Sequence, residues 1–199
     1  MVPVRCAMCG THGAHLCDNC RKDLEALPLV RRSERSEAPN IAALGAYTGP
    51  LRAAVLSLKF RNRKSAATLL GYVLGKKLHV SVDAVIPVPL HPSRLLARGF
   101  NQAHFIGIGV ASALNAPLVC EALVRVKATH AQSSLGLTER TVNVGNAFAP
   151  APDAYRLNQT PVMLVDDVVT TGATITACAC ALRCAGVKDV YGSALAIKM

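Results

Sequence analysis

Two stretches of this sequence carry residues that could do chemistry. The first is VMLVDDVVTTGAT, residues 162–174. PVMLV is a continuous apolar run of the kind found in a central parallel strand. In an open parallel sheet, ligands sit beyond the carboxyl ends of the strands, and Asp166 and Asp167 fall at that end. The chain then turns through Thr170, Thr171 and Gly172 into a helix that begins near Ala173 and includes Thr174. The threonines bring hydroxyl donors. Gly172 lets backbone approach an anion with no Cβ in the way, and the helix start adds free N–H groups and a positive dipole end. Together these suit a phosphate monoester. Carboxylates would repel a phosphate, so Asp166 and Asp167 need another task. Acceptor-only oxygens suit the two hydroxyls of a ribose, and water around a Mg2+ bridging ribose and pyrophosphate. The competing reading is a plain strand-to-helix turn with incidental polar caps. A lone Asp pair or TTG would be read that way, and the full string in a strand–loop–helix context is not. A Walker A loop is excluded because no Gly-Lys-Ser/Thr follows, and a dinucleotide fingerprint because only one glycine is present.

The second stretch is the N-terminal head. Cys6-x-x-Cys9 and Cys17-x-x-Cys20 are two knuckles separated by seven residues. Four thiolates in paired CxxC form a closed tetrahedral Zn2+ site with no open position for water, which makes it structural. His12 and His15 lie between the knuckles but are not needed as ligands. Disulfides are the alternative, disfavoured in a reducing compartment, and neither CxxC follows a strand in a thioredoxin-like pattern. What such a knuckle docks onto stays open at this point: nucleic acid, a partner protein or its own domain. The remaining cysteines, Cys120, Cys178, Cys180 and Cys184, are scattered through apolar sequence and are expected as small buried hydrophobes.

The elements around these residues follow from pattern. Residues 1–27 form the knuckle. Residues 28–40, PLVRRSERSEAPN, are polar, flanked by prolines, and read as a linker or loop. Residues 41–199 form the main domain. It is expected to open with a strand at 41–48, a helix from Pro50, and a second helix over about 64–78. VDAVIPVP then reads as a buried strand ending in prolines. Asn101 can cap a helix that stops at Asn115–Pro117. The helix from Ala173 to Ala185 closes on Gly186, and DVYGSALAI is the last strand. Alternating strands and helices imply a doubly wound parallel sheet.

The 199 residues are enough for one medium domain with a small appendage. An apolar fraction of 51% with aromatics at 4% leaves Ala, Val and Leu to pack the core. No apolar run reaches the length of a membrane span and no apolar leader opens the chain, so a cytoplasmic location is expected. The formal charge of +10, from 22 Lys+Arg against 12 Asp+Glu, favours a polyanionic partner, either a phosphorylated metabolite or nucleic acid.

The string at 162–174 closely resembles the 5-phosphoribosyl-1-pyrophosphate (PRPP) signature of type I phosphoribosyltransferases. The resemblance implies that Asp166 and Asp167 hold the ribose hydroxyls and that Thr170, Thr171, Gly172, Ala173 and Thr174 hold the 5-phosphate. Three further stretches narrow the match: PVPLHPSRLLARGFNQA at 87–103, KATHAQSSLGLTERTVNVGNAF at 127–148, and the cysteine head. Together they resemble the ComF family of competence proteins, which are double zinc ribbon and phosphoribosyltransferase-like proteins. In related transferases the loop matching Val88, Pro89 and Leu90 binds pyrophosphate. Arg94 and Arg98 supply guanidinium forks suited to the same oxygens, against a plainer reading as a solvated basic helix. Lys59 matches a family position and could face the phosphates, as readily as it could end a helix in solvent. Gln132, Arg140 and Asn143 also match, without an assignable role.

Two functions of different class follow. One is a PRPP-binding protein acting in DNA uptake, in which single-stranded DNA and competence-machinery proteins are candidate partners. The other is an active transferase of nucleotide metabolism that moves the 5-phosphoribosyl group to an unidentified acceptor with loss of pyrophosphate. The eight scattered Phe and Tyr residues argue against a dedicated stacking groove for single strands.

Overall fold

The computed structural model describes residues 3–32, 38–60, 63–126 and 147–199. Helix α1 (Asp18–Ala26) closes the cysteine head and strand β1 (Val30–Arg32) follows it. Then come β2 (Ile41–Ala46), α2 (Gly49–Phe60), α3 (Lys64–Lys77), β3 (Ala84–Pro87), α4 (Pro92–Arg98) and α5 (Gln102–Leu114). The short strands β4 (Leu123–Arg125) and β5 (Phe148–Pro150), the single turn α6 (Pro152–Tyr155), β6 (Pro161–Val169), α7 (Ala173–Cys184) and β7 (Asp189–Ile197) complete the chain.

Five strands form one sheet in the order β1-β2-β7-β6-β3, parallel except for the β1 edge. Two separate buried clusters cover its faces. One joins α2, α3 and α5 to Ala42, Leu44, Val85, Met163 and Val165. The other joins α7, β4 and β5 to Ile41, Ala43, Ile86, Leu164 and Ala194. This is the doubly wound arrangement expected from the alternation of elements. β4 and β5 pair as a separate antiparallel ribbon over the second face.

Helices α3 and α5 touch backbone to backbone. A Cβ at Gly71 would collide with the Ile106 carbonyl, and one at Gly109 with the Thr68 carbonyl. Asn101 caps α5, its side chain accepting from Ala103 N at 3.1 Å.

The cysteine head is not a free appendage. Cys6, Ala7, Leu16, Cys20 and Leu24 are buried in the same cluster as α2 and α3, so the knuckle docks onto its own chain. Lys77 at the end of α3 donates to the carbonyl of Glu25 at 2.6 Å, tying the end of α1 to the body.

Three expectations are corrected. Within 28–40, Val30–Arg32 forms the antiparallel edge strand β1 instead of linker. Charged residues are tolerated at a sheet edge, which is why this strand looks like a loop in sequence. Of the four scattered cysteines only Cys178 is buried, while Cys120, Cys180 and Cys184 are exposed. Cys180 and Cys184 are four apart and share the outward face of α7, while Cys178 lies on the inward one. Finally, β6 does not stop at Val165. It stays paired with β7 as far as Val169↔Ile197, so Asp166 and Asp167 belong to the strand itself.

Candidate functional site

Neighbouring strands β3 and β6 leave the sheet in opposite directions. After β3 the chain runs through α5 and returns on the far side of β3, where Leu118 bridges Val85 in parallel. After β6 it runs through α7 to β7, on the other side. A reversal of this kind opens a crevice at the carboxyl ends of the two strands, where α/β sheets place ligands. The loops Val88–Leu90 and Asp166–Thr174 both emerge there. Val88 N donates to Val165 O at 2.9 Å, and Asn101 Nδ2 holds Val88 O at 2.9 Å, so the cap of α5 also fixes the first loop.

Beyond Val165 the strand loses β3 as a partner. Successive side chains of a strand point to opposite faces, and the two carboxylates are split that way. Asp167 meets α2 on the first face, where Lys59 Nζ lies 3.2 Å from Asp167 Oδ2. Asp166 faces the second layer, towards Cys178 of α7 and Arg125 of β4. Asp167 N donates to Asp166 Oδ1 at 2.8 Å.

Asp166 exposes only part of its surface and is closely enclosed by protein. Burial, and then the neighbouring charge of Asp167, push its pKa up to about 7 against the pull of the Asp167 amide, Lys59 and Arg125. The Cys178 thiol behind it is pushed well up by burial and by Asp166. Arg125 is half-buried, with its guanidinium 5.2 Å from the centre of the Phe148 ring. Burial and the like charge of Arg94 lower its pKa, and Cys178 and Asp166 oppose them. Sequence reasoning missed Arg125. It lies on a three-residue strand with no motif around it, and only the fold carries it to Asp166.

The turn after β6 is short. Thr170 is exposed, Gly172 is buried with φ 82°, and α7 starts at Ala173 with Gly172 as its N-cap. Thr171 Oγ1 accepts from Ala173 N at 3.4 Å. The first-turn N–H groups and the Thr171 and Thr174 hydroxyls therefore surround one helix N-terminus, a ready anion cradle.

The remaining sequence candidates divide. Arg94 lies on α4 near enough to Arg125 for their charges to repel. Arg98, at the far end of α4, donates to Gln102 Oε1 at 3.3 Å. Gln102 is 2% exposed, and its Nε2 has no hydrogen-bond partner among the described residues. Pro89 and Leu90 follow Val88 in the loop. Gln132, Arg140 and Asn143 lie outside the described residues.

In the head, the sulfurs of Cys6, Cys9, Cys17 and Cys20 all lie within 4.8 Å of one another, with Cys9 and Cys17 at 3.6 Å. Sulfurs about 3.8 Å apart are what a tetrahedron with Zn–S bonds near 2.3 Å requires. The four cysteines therefore fit a structural zinc. The hydroxyl and backbone of Thr11 bring the Cys9 thiol down to about 6, towards the thiolate a metal needs. Burial acts against ionisation of Cys6, but backbone contacts with Cys9, Cys17 and Met8 leave it lowered. Burial and the neighbouring sulfurs push Cys20 up. For Mg2+ the site offers hard carboxylate oxygens at Asp166 and Asp167, the ligand type that ion takes.

No family model matches the chain. Among curated proteins, it is 31% identical over 196 residues to Competence protein F of Haemophilus influenzae, covering 93% of this chain and 81% of that protein. The chain belongs to the competence protein F family. The DNA utilization protein YhgH of Salmonella typhimurium is 30% identical over 178 residues, covering 85% of this chain and 74% of that protein. Among solved structures, the glutamine PRPP amidotransferase of B. subtilis overlays with a TM-score of 0.46 at 23% identity, covering 65% of this chain and 26% of that one. The strand order and parallel register themselves define the doubly wound fold. No helix among the described residues is long and apolar enough to cross a membrane.

Proposed function

We propose that this member of the competence protein F family binds Mg2+–PRPP in the crevice between β3 and β6 and acts in DNA uptake from a cytoplasmic position, which would keep the four head thiols reduced and loaded with zinc. One observation carries the reading: two carboxylates at a topological switch point, one on each face of β6, next to the N-terminus of α7, whose cap residue Gly172 brings no side chain. Asp166 and Asp167 would accept from the ribose hydroxyls. The Thr170–Thr174 segment would donate to the 5-phosphate. Mg2+, when bound with the ligand, would neutralise the pyrophosphate.

The pyrophosphate would lie towards Val88, Pro89 and Leu90, with Arg94 and Arg98 of α4 and Lys59 of α2 as cations. Lys59 would have to leave Asp167 to reach it, so ligand binding would exchange one ion pair for another. Arg125 belongs beside them as a cation facing Asp166.

Calorimetric titration of Mg2+–PRPP into the full chain tests the site, with Asp166→Asn, Asp167→Asn and Thr171→Val as variants. The carboxylate variants should lose affinity and Mg2+ dependence, while Thr171→Val should lose affinity alone. Wild-type affinity in both carboxylate variants would reduce the loop to a structural turn. Pyrophosphate release in the presence of candidate bases separates a transferase from a binding protein.

A further inference from the structure

A second cleft opens at the opposite end of the sheet. Its volume is about 450 Å3, within the range of roughly 300–1,000 Å3 typical of small-ligand sites. The floor is the first face of the sheet near the start of the strands. Met163 of β6 pairs in register with Tyr191 of β7, and Ala42 of β2 pairs with Arg31 of β1. The segment after α3 forms the wall, with buried Leu78 and exposed His79. Met163 lies three residues of extended chain, about 10 Å, before Asp166, so this cleft opens at the other end of the strands from the Asp166–Thr174 crevice, with Arg32 of its lining reaching across to the Thr170 carbonyl.

Its lining is chemically two-sided. Arg31 and His79 stand exposed at the rim, and among the described residues no carboxylate lines the cleft. Met163, Ala42 and Leu78 are buried, and the half-buried Tyr191 ring packs against the same cluster. A guanidinium and an imidazole at one side and a flat apolar surface at the other match a ligand with an anionic end and a planar end. Phosphate binds guanidinium forks, and nucleic-acid bases stack on aromatic rings whatever their sequence.

We infer that the β1–β2–β7 cleft binds a nucleotide unit, with its phosphate on Arg31 and His79 and its base against Tyr191 and Met163. The unit could come from a free nucleotide or from one residue of a single strand of DNA, and the chemistry recognised is the same. The inference does not depend on the phosphoribosyl reading, because it uses none of the same residues.

The test titrates 2′-deoxyadenosine 5′-monophosphate into the full chain and into Arg31→Glu and His79→Ala. Both positions are exposed, so the variants should fold. Arg31→Glu should weaken binding by about tenfold or more and His79→Ala by a few-fold, while Mg2+–PRPP affinity stays at the wild-type value. Deoxyadenosine, which lacks the phosphate, should bind at least about tenfold more weakly than the monophosphate. A short oligodeoxyadenylate that competes with the monophosphate identifies a strand as the source. Monophosphate binding without such competition identifies a free nucleotide. Failure of the monophosphate to bind the wild type, or equal binding by wild type and Arg31→Glu, overturns the inference.

Discussion

The cysteine head and the crevice at the end of β6 are built on opposite principles. The four head sulfurs come from one continuous stretch, Cys6 to Cys20, and converge through two local turns and the start of α1. The crevice draws Asp166 and Asp167 from β6, Lys59 from α2, Arg125 from β4 and Arg94 from α4. The first is a closed set that spacing alone defines. The second is a meeting of charges that exists only once the sheet has formed. Yet the local unit is energetically tied to the whole, because Cys6, Leu16, Cys20 and Leu24 sit in the core shared with α2 and α3. The lesson is that local encoding does not imply independent folding.

The largest expected effect tests that tie. Stripping the metal with a chelator, or Cys17→Ser, should loosen the head and uncover the α2–α3 face. A loss of about 4–6 kcal/mol is expected, a fraction of what structural zinc contributes in isolated fingers. For a chain of this length that corresponds to roughly 10–20 °C in Tm. Calorimetric melting with and without chelator measures it. An unchanged Tm would mean the head is a detachable appendage, and metal analysis of the untreated protein should find one zinc per chain.

The crevice should behave in the reverse manner, losing ligand more than stability. Asp167→Asn removes the partner of Lys59 and one charge-assisted acceptor, worth about 1.5–3 kcal/mol. Affinity for Mg2+–PRPP should therefore fall by roughly 10- to 100-fold, read by titration calorimetry. Arg125→Met keeps the apolar stem and removes the charge, and should cost about tenfold in the same titration. If Arg125→Met binds like the wild type, the cation opposite Asp166 is structural only, and the crevice ends at β6.

Much of this was legible in advance, for identifiable reasons. The head was readable because ligand spacing and ligand geometry are the same fact. The strand–turn–helix at 161–184 was readable because an apolar run, two acids, a glycine and a helix start follow one another within a few residues. Arg125 was not readable, since nothing near it in sequence signals that β4 lies over β6. Edge strand β1 was hidden by its arginines. The exposed Cys180 and Cys184 were misjudged because an apolar neighbourhood says nothing about which helix face a residue takes. The acids also looked equivalent in sequence, and only strand alternation separates Asp167, paired with Lys59, from Asp166, enclosed beneath the ribbon.

That difference yields the smallest effect and the sharpest discrimination. Asp166 in the folded protein titrates at about 7, while an unfolded aspartate titrates near 3.9. Between those values the folded state holds a proton that the unfolded state has released, so stability must fall as pH rises. The favourable contribution is whole below about pH 4, shrinks steadily towards pH 7, and is gone above it. Asp166→Asn removes the titration. It should raise the ligand-free Tm by a few degrees at pH 8 and flatten the decline between pH 5 and 8. Asp167→Asn should do neither, because it sacrifices the Lys59 pair. Ligand binding should show the opposite sign. Hydroxyl donors and Mg2+ favour the ionised carboxylate, so affinity for Mg2+–PRPP should strengthen from pH 6 to 8 in the wild type. The ligand's own phosphate also ionises near pH 6, which makes Asp166→Asn the necessary reference: the part of the pH dependence that it abolishes belongs to Asp166. Parallel melting curves for wild type and Asp166→Asn across that range would mean the carboxyl is already ionised and solvated, and the two acids would then be as alike in the fold as they are in the sequence.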